Sequence, residues 1–187
     1  MKKLSIRAIC FVALFTAIIS VLSILEIPTP WGVPFTLQTF AIALCAYVLG
    51  QKYGTLSTFV YVLVGAVGLP VFAGMSSGFG VIMGPTGGYI IGFILMAFFC
   101  GLGFFFYQKG KKGILFLILF SLLGLACCHG IGIVQLKNYY EMTWAGAAMA
   151  GTVPYLAKDV ISMVLAFLLA LAVRKALRAA NLLDWDK

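Results

Sequence analysis

The sequence has 187 residues, 63% of them hydrophobic and only 10% charged, which excludes an ordinary water-soluble fold and places most of the chain in long apolar segments. Its 13 Lys and Arg against 5 Asp and Glu give a formal charge of +8. These bases fall in short clusters between apolar runs, as membrane-orientation signals do, so nucleic-acid binding is set aside.

The N-terminal run "MKKLSIRAICFVALFTAIISVLSILEIP" begins with bases like a signal peptide. Its apolar stretch is too long for one, and no small-x-small cleavage site precedes Glu26, so it reads as a first spanning helix. About twenty apolar residues cross a bilayer. On that measure six helices are predicted: Ala8 to Leu25, Phe35 to Gly50, Tyr53 to Leu69, Gly88 to Tyr107, Gly113 to Leu136 and Pro154 to Val173. The second is short and the third nearly so.

The connectors alternate in character. "QK" and "QKGKKG" are brief and basic, whereas "EIPTPWGVP", the glycine-rich stretch after Gly68 and "KNYYEMTWAGAAMAGTV" are longer and carry aromatics. One side of the six helices collects Lys2, Lys3, Arg7, Lys52, Lys109, Lys111, Lys112, Arg174, Lys175, Arg178 and Lys187, the other only Lys137 and Lys158. The positive-inside bias therefore places both termini in the cytoplasm. The expectation is an all-α integral membrane protein, one bundle of six transmembrane helices forming a single domain over residues 1–187, at the cell membrane. No persuasive internal repeat supports a carrier built from two matched halves.

Few residues offer chemistry. No GxxxxGK[ST] motif is present, so the chain has no ATP-hydrolysing loop of its own, and no cofactor is expected. The five cysteines, Cys10, Cys45, Cys100, Cys127 and Cys128, lie in apolar segments without metal-ligand spacing and read as packing residues. His129 follows Cys127 and Cys128, but adjacency keeps Cys128 off its face, and a hydrogen-bonding histidine is the stronger reading than a nucleophile or metal pair. Trp31, Trp144, Tyr139 and Tyr140 fall in outer loops, where aromatics are common without any function.

Asp159 has apolar neighbours on both sides and Lys158 beside it, just after Pro154. An ionisable group well inside a membrane costs about 3 kcal/mol or more, so it pairs or lines a cavity. The alternative is that Lys158 snorkels outward and Asp159 complements a helix N-terminus. Direct pairing between the two is disfavoured as the whole account, because consecutive helical residues point about 100° apart.

The stretch "GLPVFAGMSSGFGVIMGPTGGYIIGF", Gly68 to Phe93, breaks helices in a chain built for lipid. Non-helical backbone at that depth survives only at the water face or against an enclosed cavity. With Ser76, Ser77 and Thr86 as hydroxyls and Phe72, Phe79 and Tyr89 as walls, it forms either a cradle for a small molecule with polar and apolar parts, or a flexible outer loop. Ala13 and Ala17, four apart on the first helix, let another helix approach closely, within this chain or from a partner.

"VPFTLQTFAIAL" (Val33 to Leu44), "YVLVGAVGLPVFAG" (Tyr61 to Gly74) and "GPTGGYIIGF" (Gly84 to Phe93) closely resemble the BioY family, the biotin-capturing S components of energy-coupling-factor vitamin transporters. The resemblance implies a six-helix subunit, not an enzyme, that takes biotin from outside and works with a separate transmembrane coupling protein and two ATPases. It implies a pocket built from the outer loops and last three helices, and a coupling-protein contact at the small residues of the first helix, here Ala13 and Ala17. The family's sixth helix resembles "PFxPGDxxKxxLA"; here "PYLAKDVISMVLA" keeps the acid as Asp159 but has Ser162 at the lysine position and Lys158 at the glycine position.

The resulting expectation puts the bicyclic body of biotin against Phe72, Met75, Tyr89 and Trp31, and its ureido group near Asp159. Gly74, Ser76 and Ser77 approach through backbone or hydroxyl, with Gln38 and Lys158 as further contacts and "EIPTPWGVP" as a lid. A secondary carrier or channel for another small molecule stands as the alternative, set against the near absence of ionisable residues within the helices. An intramembrane enzyme on Cys128, His129 and Asp159 is disfavoured by the same adjacency argument.

Overall fold

The computed structural model describes residues 5–30, 33–110 and 112–183. Seven α-helices follow one another: α1 (Ile6–Ile24), α2 (Gln38–Ala66), α3 (Phe79–Met83), α4 (Gly87–Tyr107), α5 (Gly113–Tyr140), α6 (Trp144–Gly151) and α7 (Val153–Ala179). A two-stranded antiparallel hairpin, β1 (Glu26–Ile27) with β2 (Phe35–Thr36), joins α1 to α2, and a short 3-10 turn covers Ala73–Met75. By length and hydropathy α1, α4, α5 and α7 are each able to cross a membrane.

The helix ends follow from local chemistry. Ser5 caps α1 by accepting the Ala8 N–H at 3.1 Å, and Thr143 caps α6 by accepting from Gly146 at 3.1 Å, each satisfying a donor that a helix start leaves open. Pro154 occupies the first turn of α7, where its missing N–H costs nothing. The connector predicted over Lys137 to Val153 is more ordered than its sequence implied. α5 continues to Tyr140 and the Ala/Gly run "WAGAAMAG" forms α6, with Lys137 lying over the Trp144 ring at 5.1 Å.

The predicted helices Phe35–Gly50 and Tyr53–Leu69 are the two limbs of α2. Gly50 has φ 78° and ψ 178°, a combination open essentially to glycine alone. The chain turns back there. Gln38 Nε2 donates to the Tyr61 hydroxyl at 2.9 Å, and Cys45 Sγ faces the Gly54 carbonyl at 3.8 Å, contacts that a straight helix would hold many turns apart.

That reversal leaves carbonyls at the end of the first limb without helical partners. Arg174 of α7, 2% exposed, donates to the carbonyls of Tyr47 and Val48. It also reaches Gln108 Oε1 at 3.3 Å and lies 4.7 Å from the Phe104 ring centroid. Counted in the sequence as one more orientation cation, Arg174 is a buried cap.

α4 packs between α2 and α5, α1 and α7 both lie against α2, and α6 bridges α5 and α7. Tyr47, Tyr61, Phe72, Met96 and Phe104 are among the largest side chains buried in this core. Two polar links run through it: Thr16 Oγ1 to the Ser57 carbonyl at 3.1 Å and Tyr47 Oη with Ser121 Oγ at 2.8 Å. The Gly50 turn, Gln108, Arg174 and Arg178 mark one end of the bundle, and the hairpin, the glycine-rich segment and α6 mark the other.

Replacing Gly50 by Ala should lower stability by about 1–3 kcal/mol through backbone strain, since open space surrounds a Cβ at that position. Thermal unfolding in detergent measures this, and an unchanged midpoint would mean that the turn tolerates an L side chain.

Candidate functional site

At the hairpin end a cavity opens between α2, α4, α5, α7 and the loops. Val33, Pro34 and Thr36 of the hairpin close one side. Phe72, Ala73 and Ser76 with Val81 and Thr86 form another, and Tyr89, Ile90, Phe93 and Leu125 supply apolar wall. Its polar groups gather at Gln38, Thr39, His129, Tyr155, Lys158 and Asp159.

Asp159 is 3% exposed, nearly two turns into α7. Its Oδ2 lies 3.0 Å from His129 Nε2. The Lys158 ammonium stands 2.6 Å from Oδ1 as an ion pair, and this buried oxygen has no hydrogen-bond partner besides it among the described residues. Such a group costs free energy unless something donates to it. The site is thus anionic at its floor, with a cation at its rim.

Lys158 and Asp159 do pair, and as expected that pair is not the whole account, because His129 also holds the carboxylate. The backbone directions diverge, but the four-carbon lysine stem folds back across that angle. The same ammonium donates to the Thr36 carbonyl at 3.1 Å, tying the carboxylate to the hairpin. Tyr155 adds a second tie. Its hydroxyl donates to the Val33 carbonyl, which also accepts from Thr29 Oγ1 at 2.7 Å, and its ring lies 4.5 Å from that of Phe35. Two ties from α7, at Val33 and Thr36, therefore hold the hairpin against the cavity.

The glycine-rich segment is pinned as well. Gln135 Nε2 of α5 donates to the carbonyls of Ile82 and Gly84 at 2.7 and 2.6 Å, and Gly78 N–H donates to the Gly65 carbonyl at 2.7 Å. These bonds satisfy backbone that the helices release. Tyr89 reaches the cavity wall because Gly132 and Gly151 have no side chain where its ring and hydroxyl lie, and its hydroxyl donates to the Gly151 carbonyl at 2.9 Å.

A profile described as the BioY family matches residues 1–179 of the chain. The chain belongs to the BioY family. It is 43% identical to "Biotin transporter BioY" of Thermotoga maritima over 169 residues, covering 90% of this chain and 96% of that one. It is 39% identical to "Probable biotin transporter BioY" of Pyrococcus horikoshii, covering 88% and 94% respectively. A solved structure, the S-component for biotin from an ECF-type ABC transporter, matches with a TM-score of 0.79 and 28% identity, over 91% of this chain and 92% of its own.

In this BioY chain the predicted site residues divide. Asp159, Lys158, Phe72, Ser76, Tyr89 and Gln38 line the cavity, though the Gln38 amide is engaged by Tyr61 and Thr36 and the Ser76 hydroxyl donates to the Ala73 carbonyl. Gly74, Met75 and Ser77 do not line it. Met75 is 65% exposed with φ 61°, turned outward by the 3-10 turn. Gly74 instead lies against the Glu26 carboxylate, where a Cβ would collide, and so seats the loop against the start of the hairpin.

Phe79, proposed as a wall, is 63% exposed. Trp31 lies outside the described residues. Ala13 and Ala17 face outward from α1 on a face shared with Ile9, Leu14 and Val21. Sequence reasoning omitted Thr39 and Tyr155 from the site and read His129 only as a buried or cavity-facing hydrogen-bonding residue, without joining it to Asp159. Tyr155 lay in plain view in "PYLAKD", whereas only the fold brings His129 of α5 to Asp159. Cys128 shares the cavity lining with His129 despite their adjacency, but its thiol faces the Tyr89 carbonyl at 3.5 Å.

Replacing Lys158 by Met should loosen the hairpin. A cysteine introduced for the buried Val33 is then expected to react several-fold faster with a water-soluble maleimide than it does beside Lys158, after subtracting labelling of the native cysteines. Equal rates would mean that Tyr155 holds the hairpin alone.

Proposed function

We propose that this chain is the biotin-binding subunit of an energy-coupled vitamin transporter, capturing biotin at the cavity described above. The observation that carries this reading is the buried Asp159 carboxylate, with one oxygen engaged only by the Lys158 ion pair, at the polar end of an otherwise apolar hollow. A cyclic urea presents N–H donors to such an acceptor and a compact apolar body to Tyr89, Phe93 and Ile90. The names of the relatives and of the matching solved structure support the same ligand.

In this reading the two limbs of α2 both cross the bilayer, giving six spans in one domain, with both termini cytoplasmic and the cavity open to the exterior. The distribution of bases along the chain supports that orientation. Lys158, already engaged by Asp159 and Thr36, has three N–H donors, and the remaining one is offered to the carboxylate of the ligand. Phe72, Ser76 and Tyr89 are wall contacts, while Gly74, Met75, Ser77 and Gln38 act by shaping the loop and hairpin that enclose it.

The chain contains no Walker motif, so the energy for release comes from partner proteins: a transmembrane coupling protein and two ATPases. Ala13 and Ala17 are the proposed contact with the coupling protein, a close helix-to-helix approach along the outward face of α1. No catalytic step and no cofactor is required of this subunit, and its place is the cell membrane.

Mass spectrometry of the denatured purified protein is expected to reveal copurified, chemically unaltered biotin; its absence together with no binding of added biotin would overturn the reading. Asp159→Asn should weaken biotin binding by more than tenfold, as the loss of a charge-assisted bond worth about 1.5–3 kcal/mol requires. Equilibrium binding to purified protein checks this, and unchanged affinity would remove Asp159 from the site.

Ala13→Trp and Ala17→Trp should abolish uptake by whole cells while leaving binding to the purified subunit intact. Normal transport by both variants would place the coupling contact elsewhere.

A further inference from the structure

We propose that His129 is a positioning residue for ligand recognition, fixing the Asp159 carboxylate through Oδ2 so that Oδ1 stays beside the Lys158 ammonium in the polar floor of the cavity. This rests on the biotin-binding reading and deepens it by naming what fixes the key group.

The carboxylate has no proton to donate, so Nε2 of His129, 3.0 Å from Oδ2, carries the hydrogen of that bond. In the neutral ring Nδ1 is then an acceptor, and the Thr152 hydroxyl at 3.0 Å is placed to donate to it. Thr152 sits at the junction where α6 ends and α7 begins. Tyr89 meets the ring edge-on, with centroids 5.8 Å apart at 83°, and the side chain as a whole is 7% exposed.

The imidazole is thus held by α4, by the α6–α7 junction and by Asp159 itself. Without it, the carboxylate would turn freely about its terminal torsion, which is broad and two-fold. Its strongest remaining partner is the Lys158 ammonium beside Oδ1. Both oxygens would then compete for that cation at the rim, and the acceptor presented to a ligand N–H would lose its fixed direction. His129 therefore sets which oxygen is bound to the ring and which lies beside Lys158, the one a ligand N–H would share.

Gln and Asn separate this role from simple packing. The terminal amide of Gln extends to the position of Nε2 and restores a donor to Oδ2, whereas that of Asn stops near Nδ1 and keeps only the Thr152 side. The expected result is that His129→Gln binds biotin within about threefold of wild type, while His129→Asn and His129→Leu lose about tenfold or more. In an Asp159→Asn background His129→Leu should add less than about twofold, because the two residues act through one contact.

An analogue with its ureido N–H groups alkylated should bind wild type and His129→Leu equally weakly. If Gln and Asn variants lose affinity alike, or the His129 and Asp159 losses are additive, the positioning role is overturned while biotin binding stands. If wild type itself binds no biotin, the functional reading fails instead. Should His129→Leu not fold, the Gln and Asn comparison decides alone.

Discussion

A carboxylate buried in an apolar bundle dictates what surrounds it. An unpaired ion there is costly, and a pair costs nearly as much unless geometry and hydrogen bonds are complete. Around Asp159 the completion comes from distant pieces of chain: His129 from α5 and Lys158 from the preceding residue of α7, with Thr36 of the hairpin behind the lysine and Thr152 of the α6–α7 junction behind the histidine. Satisfying one charge therefore draws together the floor and the cover of the cavity.

The cover obeys a related constraint on the backbone. Chain that leaves helical bonding near lipid must find other partners for its N–H and C=O groups, and here they are supplied one by one. Gln135 takes the carbonyls of Ile82 and Gly84, Gly65 accepts from Gly78, and Tyr155 and Thr29 converge on the carbonyl of Val33. An irregular region held by side chains from α5 and α7 keeps a defined shape yet releases when those side chains shift. Such a construction suits a ligand that must be enclosed and later given up.

The sequence made the helices legible because apolar run length and glycine punctuation report directly on lipid burial. The break at Gly50 was visible in the two short adjoining segments, and the cavity-forming glycine stretch in its loss of helix propensity. Asp159 stood out because charge is rare in this chain. What was hidden depended on tertiary approach. His129 gains its meaning only when α5 brings it to Asp159. Arg174 looked like any cation near a helix end, and Met75 looked like a pocket residue until a left-handed backbone turned it outward. The short α6 was concealed by small residues that also suit a loop.

α7 links the two ends of the molecule. Asp159 and Arg174 are fifteen residues apart on it, about 22 Å along the axis. Asp159 and its neighbours fasten the hairpin at one end, and Arg174 completes the broken α2 at the other. Because helices move as stiff units within a close-packed interior, a tilt of α7 cannot alter one attachment without loading the other. The first limb of α2 carries Gln38 and Thr39 at the cavity and Tyr47 and Val48 beneath Arg174, so it shares both attachments. Strain applied at the Gly50 end therefore has a continuous route, through two packed helices, to the polar groups that enclose the cavity.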